Sequence, residues 1–301
     1  MSTPITALPD GPVLLDGGMG QEILKRTTGP EGTSWSHLVV VDQADVVRAV
    51  HDDYIQAGAR VITTNSYTLT RPRLEPVGLG HRFAELNRRA GELAAEARDA
   101  SGRAVRVAGS LPPQEGSYLV RRALSFDDTV GLYREQAEIL APHVDLFLCE
   151  TVASAEEARA AVTGAASVGK PVWVALTLED HGSPLLRSGE TVEEAARALD
   201  GLPVEAFLAN CCSPESITAA MPALAKLGTA GGYANGFVAI PDKWTETGAG
   251  LDRLGRRDID PETYLGHVQA WLEAGAKIVG GCCEIGPAHI ARLHEALTNS
   301  A

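Results

Sequence analysis

The residues of this 301-residue chain best suited to chemistry are its five cysteines, Cys149, Cys211, Cys212, Cys282 and Cys283. An odd number with two adjacent pairs is a poor disulfide framework for a large chain, which points instead to metal binding or thiol chemistry. Thiolates are preferred Zn²⁺ ligands, and a site with three protein ligands keeps its fourth position for water or substrate. Neighbouring residues on a regular strand face opposite ways, so Cys282 and Cys283 can share an ion only where their strand has ended or bulged. Gly280 and Gly281 permit such a bend. Of the other pair, Cys211 follows Asn210 directly and is the expected third ligand, with Cys212 turning toward the next helix. An oxidant-sensitive pair or incidental neighbours are the alternatives. Cys149, in an apolar strand, reads as core filling.

These cysteines meet only if the fold brings distant segments together. Short apolar runs at 13–15, 61–64, 105–108, 146–149, 172–176, 206–209, 232–234 and 277–279 read as strands buried on both faces. Helical patterns follow them. Val46, Val47, Val50, Tyr54 and Ile55 make one stripe, and Phe83, Leu86, Ala90, Leu93, Ala94 and Ala97 another. Ser154 with Glu157 and Thr191 with Glu194 have the capping-box spacing, and Ser213-Pro214 and Asp260-Pro261 place a cap before a first-turn proline. Two further helices are expected over 126–141 and 287–298. The alternation predicts a (β/α)8 barrel (TIM barrel), ahead of a doubly wound open sheet. No linker divides the chain, so residues 1–301 are expected to form a single domain. Strands six and eight of a closed barrel are separated by one neighbour, which lets their ends converge.

Chemistry in such barrels sits at the C-terminal ends of the strands, and several polar residues fall there. Asp16 opens an Asp-Gly-Gly turn, as a site acid or as a turn former. Backbone N–H groups of Gly17, Gly18 and Gly20 could face an anionic ligand. Asn65, Ser66 and Tyr67 follow the second strand and Asn235 the seventh, all candidate pocket residues. Glu150 stands at the barrel mouth, as a site carboxylate or as a salt-bridge or cap partner. His51, His81 and His267 fall in helical segments, where surface or packing roles are the default.

Composition narrows the partners. With 26 Lys and Arg against 39 Asp and Glu the chain carries a net charge of −13, which argues against a nucleic-acid surface. No apolar run approaches the roughly 18 residues of a membrane span, and the segment Met1-Ser2-Thr3-Pro4-Ile5 lacks the pattern of a secretion signal. A cytoplasmic protein with neither nucleic-acid nor membrane partners is expected.

The series Leu15-Asp16-Gly17-Gly18-Met19-Gly20, Thr63-Thr64-Asn65-Ser66-Tyr67, Glu150-Thr151, Asn210-Cys211 and Gly280-Gly281-Cys282-Cys283 resembles the homocysteine S-methyltransferase family, in order and over almost the whole chain. That family includes S-methylmethionine-dependent and betaine-dependent enzymes and the homocysteine module of cobalamin-dependent methionine synthase. The resemblance implies a (β/α)8 barrel with Zn²⁺ on Cys211, Cys282 and Cys283. It places Glu150 at the substrate amino group, Asp16 beside the substrate, and backbone groups of Gly17 and Gly18 around the amino acid. The implied reaction is methyl transfer to homocysteine to give methionine, with a sulfonium donor (S-methylmethionine or S-adenosylmethionine) favoured and betaine or a corrinoid as alternatives. No side chain is required as a general acid or base. Glu284-Ile285-Gly286-Pro287 departs from the Arg-Thr-Thr-Pro stretch of many S-methylmethionine users, and Tyr233-Ala234-Asn235-Gly236 matches their Tyr-Pro-Asn segment in part. A zinc or thiol sensor, or a non-catalytic binding barrel, would keep some of these residues without turnover.

Overall fold

A computed structural model describes residues 11–27, 33–120, 123–241 and 254–299. The N-terminal segment read above lies outside them. Among the described residues, eight parallel strands form one sheet: β1 (Val13–Leu14), β2 (Val61–Thr63), β3 (Arg106–Leu111), β4 (Leu146–Val152), β5 (Val172–Leu176), β6 (Val204–Asn210), β7 (Ala230–Ala234) and β8 (Ile278–Gly281). Neighbours pair in sequence order, β1 also pairs with β8, and a Leu15–Val61 bridge closes the ring between β1 and β2. The fold is the (β/α)8 barrel.

Alternation along the strands sorts side chains into two layers. Leu146, Leu148, Ala206, Leu208, Ala108, Trp173 and Ile278 fill the barrel interior. Phe147, Cys149, Val107, Val174 and Ala209 face the surrounding helices and are buried against them. Cys149 is therefore core filling, as its apolar setting suggested. The helices begin where the sequence places their caps. Thr191 and Glu194 form a complete capping box, and Ser213 and Asp260 accept N–H groups of their own first turns. Ser154 also caps its helix, but Glu157 reaches past it to the N–H of Ala153.

β3 and β4 run further than their apolar runs, through Leu111 and Val152. Ser110 and Glu150 therefore lie within strands rather than beyond them. The polar end of β4 is held by a side chain of β6, one strand beyond its neighbour β5: Thr151, at φ 61° beside a register shift, donates its N–H to Asn210 Oδ1 at 2.9 Å. The closure of the ring also uses a side chain. Arg60 N–H donates to Leu14 C=O at 2.8 Å and Asp16 N–H to Val61 C=O at 3.0 Å; the Asp16 carboxylate then takes the next donor, Thr63 N–H, at 2.7 Å.

Candidate metal centre and substrate cavity

Inward parity explains which residues crown the barrel. Leu146, Leu148 and Glu150 form one inward file, Ala206, Leu208 and Asn210 another, and Ala108 and Ser110 a third, so the polar member of each sits at the C-terminal mouth. Glu150 is buried there. Its Oε1 accepts from Ser110 Oγ at 2.5 Å, and its Oε2 from Tyr233 Oη at 3.2 Å and Asn210 Nδ2 at 3.4 Å. Burial raises its pKa to about 7, the hydrogen bonds from Ser110 and Tyr233 opposing the shift and the nearby Cys211 adding to it. Asp16 borders the same cavity, and burial raises its pKa to about 8 although Thr63 donates both its N–H and its hydroxyl. Ser110, Asn210 and Tyr233 were given no site role from the sequence; continuing the alternation past the apolar runs finds Ser110 and Asn210, and Tyr233 lies within its own run.

The sulfurs of Cys211, Cys282 and Cys283 lie within 4.8 Å of one another. Regular alternation past Asn210 would send Cys211 outward. Instead Cys211 adopts φ 53°, outside the strand, which turns its sulfur over the mouth and leaves Cys212 buried in the strand–helix layer. Cys282 and Cys283 come together because β8 ends at Gly281 and a turn follows, closed by Ile285 N–H on Cys282 C=O at 3.1 Å. The glycines before them serve close packing rather than the bend. A Cβ on Gly281 would stand 2.2 Å from Ile285 Cγ2, and one on Gly17 2.1 Å from the Ile285 carbonyl.

Three thiols this close cannot all ionise unaided. Hydrogen bonds from Cys282, Cys283 and Tyr118 hold Cys211 well below the ordinary thiol range, while its partners are pushed up. A cation among them would remove that conflict. An ideal tetrahedron with about 2.3 Å metal–sulfur bonds sets sulfurs about 3.8 Å apart, within the spread observed. No disulfide joins them.

The cavity beside the sulfurs is bordered by Asp16, Gly17, Gly18, Tyr67, Glu150 and Tyr233, among others. Two expected lining residues are elsewhere. Ser66 is fully buried, its hydroxyl donating to Ser110 C=O at 2.9 Å and paired with Thr64 Oγ1, whereas Asn65 beside it borders the cavity as expected. Asn235 is buried behind the turn, its Oδ1 accepting Phe237 N–H at 3.2 Å. The N–H of Gly18 is also engaged, donating to Ile285 C=O at 2.9 Å. Sequence reading missed Tyr118, whose hydroxyl lies 2.9 Å from Cys211 Sγ.

Residues 13–297 match the family model described as homocysteine S-methyltransferase, and the chain belongs to that family of barrel methyltransferases. Homocysteine S-methyltransferase of Escherichia coli K12 is 30% identical over 316 residues, covering 97% of this chain and 98% of the relative. Homocysteine S-methyltransferase 4 of Zea mays is 27% identical, over 95% of this chain and 90% of its own. Among solved structures, the metallated form of the Escherichia coli homocysteine methyltransferase MmuM superposes with a TM-score of 0.81 at 29% identity, over 98% of this chain and all of that one. No helix among the described residues is long and apolar enough to cross a membrane.

Proposed function

We propose that this methyltransferase moves a methyl group from a small sulfonium to the thiol of homocysteine, giving methionine and a neutral thioether, with Zn²⁺ held by Cys211, Cys282 and Cys283. The observation that carries the reading is the meeting of three cysteine sulfurs with two buried carboxylates in one cavity. Bound there, zinc would favour the thiolate form of an incoming thiol at neutral pH, where a free thiol of pKa about 8.5 is only a few per cent ionised.

The chain's own residues supply recognition and positioning. Glu150, with its oxygens fixed by Ser110, Tyr233 and Asn210, is assigned to the ammonium group of the amino acid, and Asp16 to a second cationic contact. An ammonium ion against carboxylates whose pKa values stand at about 7 and about 8 would draw both into the ionised form. The Gly17 peptide borders the cavity and is assigned to the substrate carboxylate. Tyr67, Tyr118 and Tyr233 bring aromatic rings to the cavity wall, surfaces that exclude water and suit a sulfonium charge. Ser66 supports Ser110 from behind, and Asn235 supports the segment beside the cysteine turn. Holding two substrates in line accounts for much of the rate of such a transfer, and no side chain need move a proton.

The test is methyl transfer to homocysteine against S-methylmethionine, S-adenosylmethionine, betaine and a methylcorrinoid, with and without chelator. A sulfonium should be the best donor and chelation should abolish turnover. Full activity in metal-free enzyme overturns the zinc assignment; preference for betaine or the corrinoid overturns the donor assignment.

A further inference from the structure

The segment after β3 and the segment after β5 meet over Cys211 in a way the transfer reaction alone does not demand. Tyr118 occupies the left-handed region at φ 66°, a conformation that a bulky side chain adopts only where its surroundings enforce it. Its ring lies beneath the Arg187 guanidinium, 4.7 Å from Cζ to the ring centre, and its hydroxyl reaches Cys211 Sγ at 2.9 Å. Arg187 is itself locked. Its Nη2 pairs with Asp180 Oδ2 at 3.0 Å, the two side chains being only 8% and 4% exposed. Asp180 then accepts Ser213 N–H at 2.9 Å, two residues past Cys211, and Ile240 N–H at 2.8 Å. A buried ion pair is a poor source of stability compared with apolar filling, and its retention here fits a need for fixed geometry.

We infer that Tyr118 is a positioning residue for the metal centre, donating its hydroxyl to Cys211 Sγ while Arg187 and Asp180 clamp its ring. The inference rests on the assignment of Cys211 as a ligand. Packing alone would be met equally by phenylalanine, since only the hydroxyl reaches the sulfur. Groups that orient a ligand in this way are commonly worth ten- to a hundredfold in metal affinity.

The experiment compares wild type, Y118F and R187K, each loaded with Co²⁺ and, separately, with Zn²⁺. Release to excess chromogenic chelator should be about tenfold or more faster in Y118F. The thiolate-to-cobalt charge-transfer band should move to longer wavelength, because a sulfur that has lost its hydrogen bond holds its lone pairs less tightly. R187K, which keeps the phenol and a positive charge but loses the planar clamp, should change both readouts in the same direction and less. Wild-type release rates and band positions in both variants overturn the inference. Should Y118F fail to fold, R187K decides it alone. A wild-type protein that takes up neither ion overturns the three-cysteine assignment itself, and this inference with it.

Discussion

Glu150 shows how a single side chain can be ready for a cation before one arrives. Three oxygen and nitrogen atoms converge on its carboxylate, each donating a hydrogen bond and none bringing a positive charge. Glu150→Gln is expected to raise the KM for homocysteine about 10- to 100-fold, from the roughly 1.5–3 kcal/mol of a charge-assisted hydrogen bond, with a smaller change in kcat. The carboxylate must be ionised to pair with ammonium, so binding of the unreactive product methionine should tighten as pH rises through about 7, and further toward about 8 as Asp16 ionises. Calorimetric titration from pH 6 to 9 checks this, and loss of the lower step in Glu150→Gln assigns it; an unchanged profile contradicts the role given to Glu150. Replacing Cys211, Cys282 or Cys283 by Ser should each reduce bound zinc, read by elemental analysis, to well below one ion per chain. The cysteines were legible from the sequence because their residue type names the chemistry. Tyr118 was not, because its approach to Cys211 depends on an unusual backbone conformation and on Arg187, neither of which has a local signature.

Among the elements, the glycine positions are those where the sequence reading and the structure part most instructively. Gly280 and Gly281 suggested a bend, whereas the strand continues through both and bends after them. What excludes a side chain is the neighbouring loop, since even the single carbon of alanine at 281 would overlap Ile285. Gly281→Ala is therefore expected to destabilise the protein by about 1–3 kcal/mol through overpacking and to displace Cys282 and Cys283. Urea unfolding, with zinc content measured on the same preparation, checks both effects; a wild-type midpoint with full zinc occupancy would show that the loops have room to spare. Caps and apolar stripes were readable because they act within one turn of chain. The length of β4 was not, because its polar end is held by Asn210 of β6, a partner that only the closed sheet provides.

At the scale of the molecule, the barrel was readable from the alternation of short buried runs with amphipathic helices, a pattern that follows from burying every strand on both faces. One residue in the helical layer carries a cost that this pattern conceals. His51 is fully buried with no hydrogen-bond partner on either ring nitrogen, and burial, aided by Arg48, lowers its pKa to about 3. The unfolded chain takes up a proton at the ordinary value of 6.5 and the folded chain does not, so stability falls as pH drops below 6.5 and continues to fall toward 3. The contribution is about 1.4 kcal/mol per pH unit in that window. In metal-free protein, His51→Leu should reduce the loss of thermal stability between pH 7 and pH 5; equal losses would show that His51 is protonated in the fold. The seam of the ring has a different consequence. Two of the three sulfurs follow β8, whose loop is bonded to the loop after β1, so the segment that carries them is fully held only once the first and last strands have docked. A metal captured there would act like a clasp between the end of β6 and the loop that closes this seam, and its departure would slacken that loop first.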